Sequence, residues 1–373
     1  MREENLKRVI ELRHELHRYP YLSGEEGKTK KRLMLFLKEN TRLHMVDMGK
    51  WFYAEYHPAN PKGSIALRAD MDALKINETT PLPYRSLNPG VSHKCGHDGH
   101  SASLAGACME IDQMGCDKDV YFIFQHAEET GEGGEECAKL LTEKKIDEVY
   151  AVHNFPGVSF PCLGIRNETI CCASKGMEIH FVGASAHASQ PEKGKNPAKA
   201  ISKIVLALDQ IADPIRYSGL ILATVVRIDL GERAFGIAAH EGTLCLTIRG
   251  QHEQEMLSMQ REIEDFSRNC AEEDGLKVDF SFTEEFPETY NHPESTDKIR
   301  QMAREKGMPI FEMDAPIRSS EDFGYYTKNT KGAMVWIGAG ENHPALHSED
   351  FDFNDRLIPH IVHFFEGMIY FQD

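Results

Sequence analysis

Apolar residues recur along this chain with two different periods, and the periods predict which segments are helices and which are strands. Near the start, an amphipathic stretch at helical spacing runs from Leu6 to Leu16, and Pro20 predicts its end. Ser23 and Glu26 match a capping box that would open a second helix. Short apolar runs farther along predict four buried strands, at 64–67, 120–124, 149–152 and 333–337.

Helical patterns fall between and after these strands. They cover 99–114, 134–144 and 354–372. Strands that alternate with helices, and that are apolar on both faces, are typical of a parallel sheet covered on both sides. The pattern therefore predicts an α/β fold with a mostly parallel sheet and helices on both of its faces.

The middle of the chain has a different order of elements. It reads strand, helix, strand, strand, helix, strand, which is the ferredoxin-like βαββαβ motif. The six segments are 176–182, 196–212, 220–228, 239–249, 252–273 and 277–283. We expect a small lid domain at 174–284 that is inserted into a catalytic domain formed by 1–173 and 285–373.

Length and composition agree with a two-domain soluble protein. The chain has 373 residues, more than one hydrophobic core usually holds, with 41% apolar and 27% charged residues. A net charge of -17 argues against a nucleic-acid partner. The amphipathic start lacks the apolar core of a signal peptide, and no run approaches the ~20 apolar residues of a membrane span, so we expect a cytoplasmic protein without a membrane partner. The nine cysteines do not form a disulfide pattern.

Side chains that can bind metals follow the predicted strands. The stretch HKCGHDGH, at 93–100, holds three histidines and a cysteine just before a predicted helix. Other candidates come directly after strands, namely Asp70, Asp72, Glu128, Glu129, His153, His343 and His347. Because ligands bind at the carboxyl ends of strands in an open parallel sheet, we expect these segments to converge.

The residue types favour a metal site over other chemistries. Thiolate, imidazole and carboxylate are ligands of zinc and manganese. The Cys95-Gly-His97 spacing is too short for a zinc finger. In the pair formed by Glu128 and Glu129, one carboxylate can bind a metal while its neighbour accepts a proton from water, as metal-assisted hydrolysis requires. A solvated acidic loop is the alternative for this pair.

Several motifs occur in an order that resembles a known family. They are LHRYPYLSGEE, ALRADMDALKINE, HKCGHDGHSASLAGA, FQHAEE, VHNFPG, GASAHASQPEKGKNPAKAI, SSEDFGYY and GAGENHPALHSEDFDFND. Together they resemble the amidohydrolase branch of the aminoacylase/carboxypeptidase metallopeptidase family. That branch includes hippurate hydrolases, indole-acetyl-amino-acid hydrolases and N-acetyl-diaminopimelate deacetylases, and the resemblance covers nearly the whole chain.

The resemblance implies a centre with two divalent ions. Manganese or zinc is expected, and cobalt or nickel is compatible. Glu128 is implied as general base and acid, and Asp72 as a residue that supports a ligand. The implied metal ligands are Cys95, His97, Glu129, His153 and His347. Distant relatives have a histidine ligand near position 70, and this chain has Asp70.

In the lid, the resemblance implies two residues that contact substrate. His187 would stabilise the oxyanion, often from a partner subunit, and Arg249 would bind a substrate carboxylate. A homodimer or homotetramer through the lid is therefore expected. The chain departs from the family pattern A-x-N-V-I-P at 234–239, where Gly236 replaces the asparagine and Ala239 the proline.

The expected reaction is hydrolysis of an N-acyl amino acid, or a related small amide, to an amino acid and a carboxylic acid. Three alternatives stay open at this point. The first is a dipeptidase or carboxypeptidase, against which the missing histidine at position 70 argues. The second is a ligand-binding relative that has lost catalysis, suggested by Gly236. The third is a hydrolase with Cys95 as nucleophile, which metal chelation would distinguish from a metalloenzyme.

Overall fold

The computed structural model describes residues 1–372, in which helices and strands alternate along most of the chain. The helices are α1 (Glu3–Arg18), α2 (Gly27–Asn40), α3 (His97–Met114), α4 (Gly133–Lys144), α5 (Ala198–Ile211), α6 (Glu253–Asp274), α7 (Pro293–Lys306), α8 (Gly324–Asn329) and α9 (Ile358–Tyr370). The strands are β1 (His44–Asp47), β2 (Phe52–Tyr56), β3 (Ser64–Asp70), β4 (Asp119–Gln125), β5 (Glu148–Pro156), β6 (Leu163–Ile165), β7 (Glu168–Cys171), β8 (Ala173–Val182), β9 (Ala186–His187), β10 (Ile221–Leu230), β11 (Ile237–Ala238), β12 (Glu241–Gly250), β13 (Lys277–Phe286), β14 (Thr289–Asn291), β15 (Ile310–Glu312) and β16 (Lys331–Gly340). Within residues 1–372, no helix combines the length and the apolar run needed to cross a membrane.

The larger of two compact units is built on an eight-stranded sheet. This unit contains residues 1–170, 289–316 and 321–372. Its strand order is β1-β2-β4-β3-β5-β16-β6-β15. The four central strands, β4, β3, β5 and β16, are parallel, whereas β2 runs antiparallel to β4 and β6 antiparallel to β16. The parallel centre agrees with the prediction, and the edges make the sheet mixed.

Strand register brings distant acidic segments together. In the β3–β4 pair, Asp70 lies opposite Gln125, so the residues that follow each strand leave the sheet at the same edge. On the other side of β3, β5 pairs in parallel and contributes His153, which lies opposite Trp336 of β16. Nearly every residue of these strands is buried, as expected for a sheet covered on both faces.

Helix α3 begins at the same edge of the sheet. Its residues from His97 through Ile111 are buried. Gly96, which precedes the helix, has φ +103°, and a Cβ atom there would lie 2.1 Å from Asn154 Oδ1. A side chain at position 96 therefore meets both a backbone penalty and a steric clash, so glycine allows the CGHD turn to approach β5.

The smaller unit has the ferredoxin-like arrangement that the sequence predicts. It contains 171–288 and 317–320. Its antiparallel sheet has the order β10-β12-β8-β13, and α5 and α6 connect these strands in the order βαββαβ. Alternate strand residues such as Phe181 and Leu244 pack with Ile204 of α5 in one apolar core. The segment expected at 174–284 lies inside this unit.

The predicted capping box is wrong, although the helix that it was expected to open is present. Helix α2 starts at Gly27, and among the described residues no side chain caps it. Ser23 Oγ donates instead to Asp72 Oδ2 at 2.7 Å, and Glu26 Oε1 accepts from the backbone N–H of Ala127 at 2.8 Å. Both side chains have partners more than 45 residues away.

Candidate metal centre

Six predicted site residues meet at the carboxyl edge of the parallel strands, all within the larger unit. They come from the turn before α3 and its first residue, from the segment after β4, from β5 and from the loop after β16, and they are Cys95, His97, Glu128, Glu129, His153 and His347. Three groups have ligand atoms within 4.8 Å of one another: Cys95 with His97 and His153, Cys95 with Glu129 and His347, and His97 with Glu128 and Glu129. Because Cys95 belongs to two of these groups, the arrangement can accommodate two neighbouring cations.

The possible ligand atoms lie near one another, but most of them are too far apart to form ordinary hydrogen bonds with each other. Cys95 Sγ is 3.4 Å from His153 Nε2. Glu129 lies between two histidines, with Oε1 3.7 Å from His97 Nε2 and Oε2 3.6 Å from His347 Nε2. A cation among these atoms would replace contacts that are longer than ordinary hydrogen bonds.

Hydrogen bonds on the far side of two rings determine which nitrogen is available. His97 Nδ1 lies 3.1 Å from both the backbone oxygen and Oδ1 of Asp72, and His153 Nδ1 lies 2.8 Å from the backbone oxygen of Asn154. These partners are acceptors, so each Nδ1 donates its proton to them and each Nε2 is left facing the candidate site. Such outer partners are typical of metal-binding histidines.

Two buried polar atoms without hydrogen-bond partners in the described part of the chain indicate whether these residues could hold a cation. His97 Nε2 and Glu129 Oε1 are both buried and have no hydrogen-bond partner among residues 1–372. A buried polar atom without a partner is costly, and two that face the same space imply a missing group of positive charge. The thiol, the imidazoles and the carboxylate suit zinc or manganese. The residues therefore fit a divalent metal ion.

The electrostatics of the protein residues alone point the same way. Burial raises the pKa of Glu129 to about 7. Burial also opposes a charged His97, yet Asp70 and Asp72 outweigh it and raise the pKa of His97 to about 10. Burial, followed by the charges of Glu129 and its neighbours, raises the pKa of the Cys95 thiol well above its ordinary value. The pocket is rich in negative charge, which a bound cation would neutralise.

A buried arginine connects the ends of β3 and β4 with the loop before α8. Arg68 Nη1 donates to Asp70 Oδ2 at 2.7 Å, Nε donates to Gln125 Oε1 at 2.8 Å, and Nη2 donates to Asp322 Oδ1 at 2.8 Å. Glu321 lies 2.9 Å from the same Nη2. Charge-assisted bonds to several partners hold the planar guanidinium group in one orientation.

Glu128 lies beside this acidic cluster. Its carboxylate groups with those of Glu321 and Asp322, and all three are buried. Burial, and then the charge of Glu321, raises the pKa of Glu128 well above its ordinary value. A carboxyl group with a raised pKa can both accept and return a proton near neutral pH.

The loop that carries His347 is attached to the turn before α3. His347 has φ +64°, its backbone N–H donates to the Lys94 carbonyl at 2.7 Å, and half of its side chain is exposed. The fully buried Lys94 ammonium donates to Glu78 Oε1 at 2.9 Å and to the Phe351 carbonyl at 2.7 Å. Lys94, which directly precedes Cys95, therefore holds the His347 loop against the turn before α3.

The two predicted lid residues belong to the smaller unit. His187 is exposed in β9, and its Nδ1 lies 2.7 Å from Ser189 Oγ. Arg249 lies in β12, where its Nη1 donates to the Arg318 carbonyl and to Ser320 Oγ, each at 2.6 Å. The expected roles of these two residues toward substrate stay predictions.

Some residues around the site were not assigned a role in the site from the sequence. They are Ser23, Glu26, Arg68, Lys94, Glu321 and Asp322. All six belong to motifs that carry the family resemblance, and Ser23 and Glu26 were interpreted as a capping box instead. Arg68 is the first residue of the acidic RADMD segment, but an arginine inside an apolar strand gives no indication of its distant partners.

Comparison with known proteins places this fold and site in a family. The family model described as "Peptidase family M20/M25/M40" matches residues 66–370. A hippurate hydrolase from Campylobacter jejuni is 30% identical over 93% of this chain and 92% of the relative. An N-acetyldiaminopimelate deacetylase from Lactobacillus acidophilus is 27% identical over 97% of each chain. The crystal structure of a dinuclear metal-binding peptidase of the M20 family from Bacillus subtilis superposes with a TM-score of 0.84 at 23% identity, covering 99% of this chain and 98% of that one.

The sheet with ligand-type side chains at its carboxyl edge and the ferredoxin-like unit belong to a chain with the same fold as this M20 peptidase structure. The chain is a member of peptidase family M20/M25/M40. It is a hydrolase of amide bonds, and the resemblance that the motifs indicated is confirmed.

Proposed function

We propose that the chain is an amidohydrolase that holds two divalent ions and releases a free amino acid from a small N-acyl amino acid. The relatives named above act on hippurate and on N-acetyldiaminopimelate, and both are N-acyl amino acids. The solved structure with the same fold is described as dinuclear. Manganese and zinc are the proposed ions, and cobalt and nickel are compatible with the same ligand types.

One observation carries the proposal. The buried atoms His97 Nε2 and Glu129 Oε1 have no hydrogen-bond partner among residues 1–372. Their side chains belong to groups of possible ligands that also contain Cys95, His153 and Glu128. A solvated acidic loop would not bury such atoms without partners. We therefore propose Cys95, His97, Glu129, His153 and His347 as the ligands.

In the proposed mechanism, the ions would polarise the substrate carbonyl and lower the pKa of water. Glu128 accepts the proton of the attacking water at its carboxylate, 3.7 Å from His97 Nε2, and passes it to the leaving nitrogen. Burial near Glu321 and Asp322 raises the pKa of Glu128, so this carboxyl group can hold the accepted proton until the nitrogen leaves. His187 is proposed to stabilise the oxyanion, and Arg249 to bind the carboxylate of the amino acid.

A thiol nucleophile is less compatible with the same geometry. Reactive cysteines have a lowered pKa and an electropositive setting. Burial and then Glu129 and Glu128 raise the pKa of Cys95 instead. A Cys95 nucleophile would also leave His347 and Glu129 without a role.

We also propose that the chain forms a homodimer or homotetramer through its smaller unit. Strand β10 is an edge of the antiparallel sheet and exposes Val226, Ile228 and Leu230. An unpaired edge with exposed apolar side chains favours pairing with a second copy. Such an assembly would suit an oxyanion-binding histidine that acts across subunits.

The test is release of amino acids from a pooled N-acyl amino-acid library, with products identified by mass. Protein loaded with manganese or zinc is compared with chelated protein and with Glu128→Gln, which has nearly the same shape. We expect release that requires both metal and Glu128, with a loss of at least about 100-fold in Glu128→Gln. Release that survives chelation, or near-normal turnover in Glu128→Gln, would refute the mechanism.

A further inference from the structure

The Glu128–Glu129 pair leaves strand β4 through a backbone turn that an ordinary residue must adopt against its preference. Ala127, directly before Glu128, has φ +47°, in the left-handed region that favours glycine. Its carbonyl accepts from the N–H groups of Glu132 and Gly133. A non-glycine residue stays in this region only when surrounding interactions hold it there.

Two buried carboxylates accept from the backbone N–H groups of the residues on either side of Glu128. Glu26 Oε1 accepts from the Ala127 N–H at 2.8 Å, and Asp72 Oδ2 accepts from the Glu129 N–H at 3.0 Å. A buried carboxylate oxygen that lost its hydrogen-bond donor would cost free energy, so these contacts favour this backbone conformation. Hydrogen bonds therefore hold the backbone in place both before and after Glu128.

Both of these carboxylates are attached to the same short segment before α2. Within that segment, Gly24 N–H donates to Glu26 Oε1 at 2.9 Å, and Ser23 Oγ donates to Asp72 Oδ2 at 2.7 Å. Residues 23–26 lie about a hundred positions from Glu128 in sequence, and Glu26 itself is buried. A residue that only fills space would not need a buried carboxylate, and Glu26 accepts with this group from two backbone N–H groups.

We propose that Glu26 is a positioning residue for Glu128, and that the segment 23–26 determines where the Glu128 carboxylate points by holding the Ala127 and Glu129 peptide groups. This inference rests on the proposed role of Glu128 in proton transfer. Displacement of a reacting group by about 1 Å lowers turnover by as much as 100-fold. Glu26 therefore affects the chemical step without contacting the substrate.

The first test measures the backbone directly. Hydrogen exchange of the peptide covering 125–131 is compared between the wild-type protein and Glu26→Met, Glu26→Gln and Glu25→Met. Glutamine keeps an acceptor oxygen at position 26, and Glu25 is an exposed neighbour in the same segment. We expect at least about tenfold faster exchange in Glu26→Met and little change in the other two variants. Unchanged exchange in a folded Glu26→Met protein would overturn the proposal, whether or not the proposed function is correct.

The second test follows turnover on the library member that the wild-type protein hydrolyses fastest. In Glu26→Met we expect kcat to fall about 10- to 100-fold while KM stays within about threefold and the metal content stays at the wild-type value. Glu26→Gln should retain most of the activity, and Ser23→Ala, which removes one attachment and leaves Glu26 in place, should show a smaller loss of kcat. Loss of metal together with activity in Glu26→Met, or equal losses in Glu26→Met and Glu26→Gln, would contradict a role in placing Glu128. Absence of any wild-type turnover would refute the proposed function, and the exchange experiment would still decide the role of Glu26.

Discussion

Asp72 Oδ1 lies 3.1 Å from His97 Nδ1, so a residue two positions beyond the end of β3 orients the first side chain of helix α3. The same carboxylate accepts from Ser23 Oγ and from the Glu129 N–H. One buried aspartate thus connects two proposed ligands to a third segment of the chain.

Replacing Asp72 by alanine should weaken metal binding more than it weakens folding. The His97 ring would lose the acceptor that keeps its proton on Nδ1, and changes of this kind typically cost 10- to 100-fold in metal affinity. Isothermal titration of metal-free protein with zinc measures the effect. Asp209→Ala, which removes an exposed carboxylate from α5, serves as the control. Equal zinc affinity in Asp72→Ala and wild type would show that Asp72 does not orient a ligand.

Acid should destabilise the protein partly through Glu78. Burial opposes its charge, but hydrogen bonds from His17 and Lys94 outweigh burial and lower the pKa of Glu78 from 4.5 to about 2. A carboxylate with a lowered pKa stabilises the folded state above pH 4.5, and this contribution is lost as the pH falls toward 2.

Urea unfolding of chelated wild type and Glu78→Gln at pH 7 and pH 4 checks this expectation. The variant should be less stable at pH 7. Its difference from wild type should shrink at pH 4, because much of Glu78 in the unfolded chain is then protonated and must lose that proton on folding. Glu25→Gln, at an exposed position, is the control. A difference that is the same at both pH values would exclude Glu78 as the source of the acid sensitivity.

Gly236 should accept an asparagine without loss of stability. A Cβ atom at this position meets no atom within 4 Å, and the backbone is outside the left-handed region. We expect Gly236→Asn to change the Tm by no more than about 2 °C. If the family asparagine contacts substrate, the variant should lower KM for hippurate, whereas Gly236→Ala should not. An unchanged KM in Gly236→Asn would mean that this loop does not determine substrate preference.

Oligomer formation should depend on the edge strand β10. Val226 is 64% exposed there, and a lysine at an unpaired edge disfavours pairing with another chain. Light scattering after gel filtration should show a dimer or tetramer for wild type and a smaller species for Val226→Lys. Leu87→Lys, at an exposed apolar position of the larger unit, controls for the added charge. Identical masses for the wild type and Val226→Lys would place the interface elsewhere.

The fold could be predicted largely because its signals are local and periodic. Buried strands β3, β4, β5 and β16 appear as uninterrupted apolar runs, and the lid strands alternate. Residues 317–320, which join the smaller unit, could not be predicted, because four residues carry no periodicity. The Ser23–Glu26 pattern misled for a related reason, since a helix cap and a long-range hydrogen bond use the same residue types.

The candidate ligands could be predicted because cysteine, histidine and paired glutamates are conspicuous at strand ends. The residues that support them could not. The partners of Arg68 and Glu26 lie far away in sequence, and nothing in the local pattern of either residue names them. Arg68 and Asp322 are 254 positions apart in the sequence, and they form a hydrogen bond only in the folded chain.

The parallel strands of the larger sheet determine how far apart the segments of the proposed metal site begin. Strands β4, β3 and β5 are consecutive neighbours, and adjacent strands lie about 4.8 Å apart. Residues that leave these strands therefore start at separations that the strand spacing sets. Because that spacing comes from backbone hydrogen bonding, the segments that carry Glu129 and His153, which would hold the ions, would keep their separation even if the connecting helices changed in length.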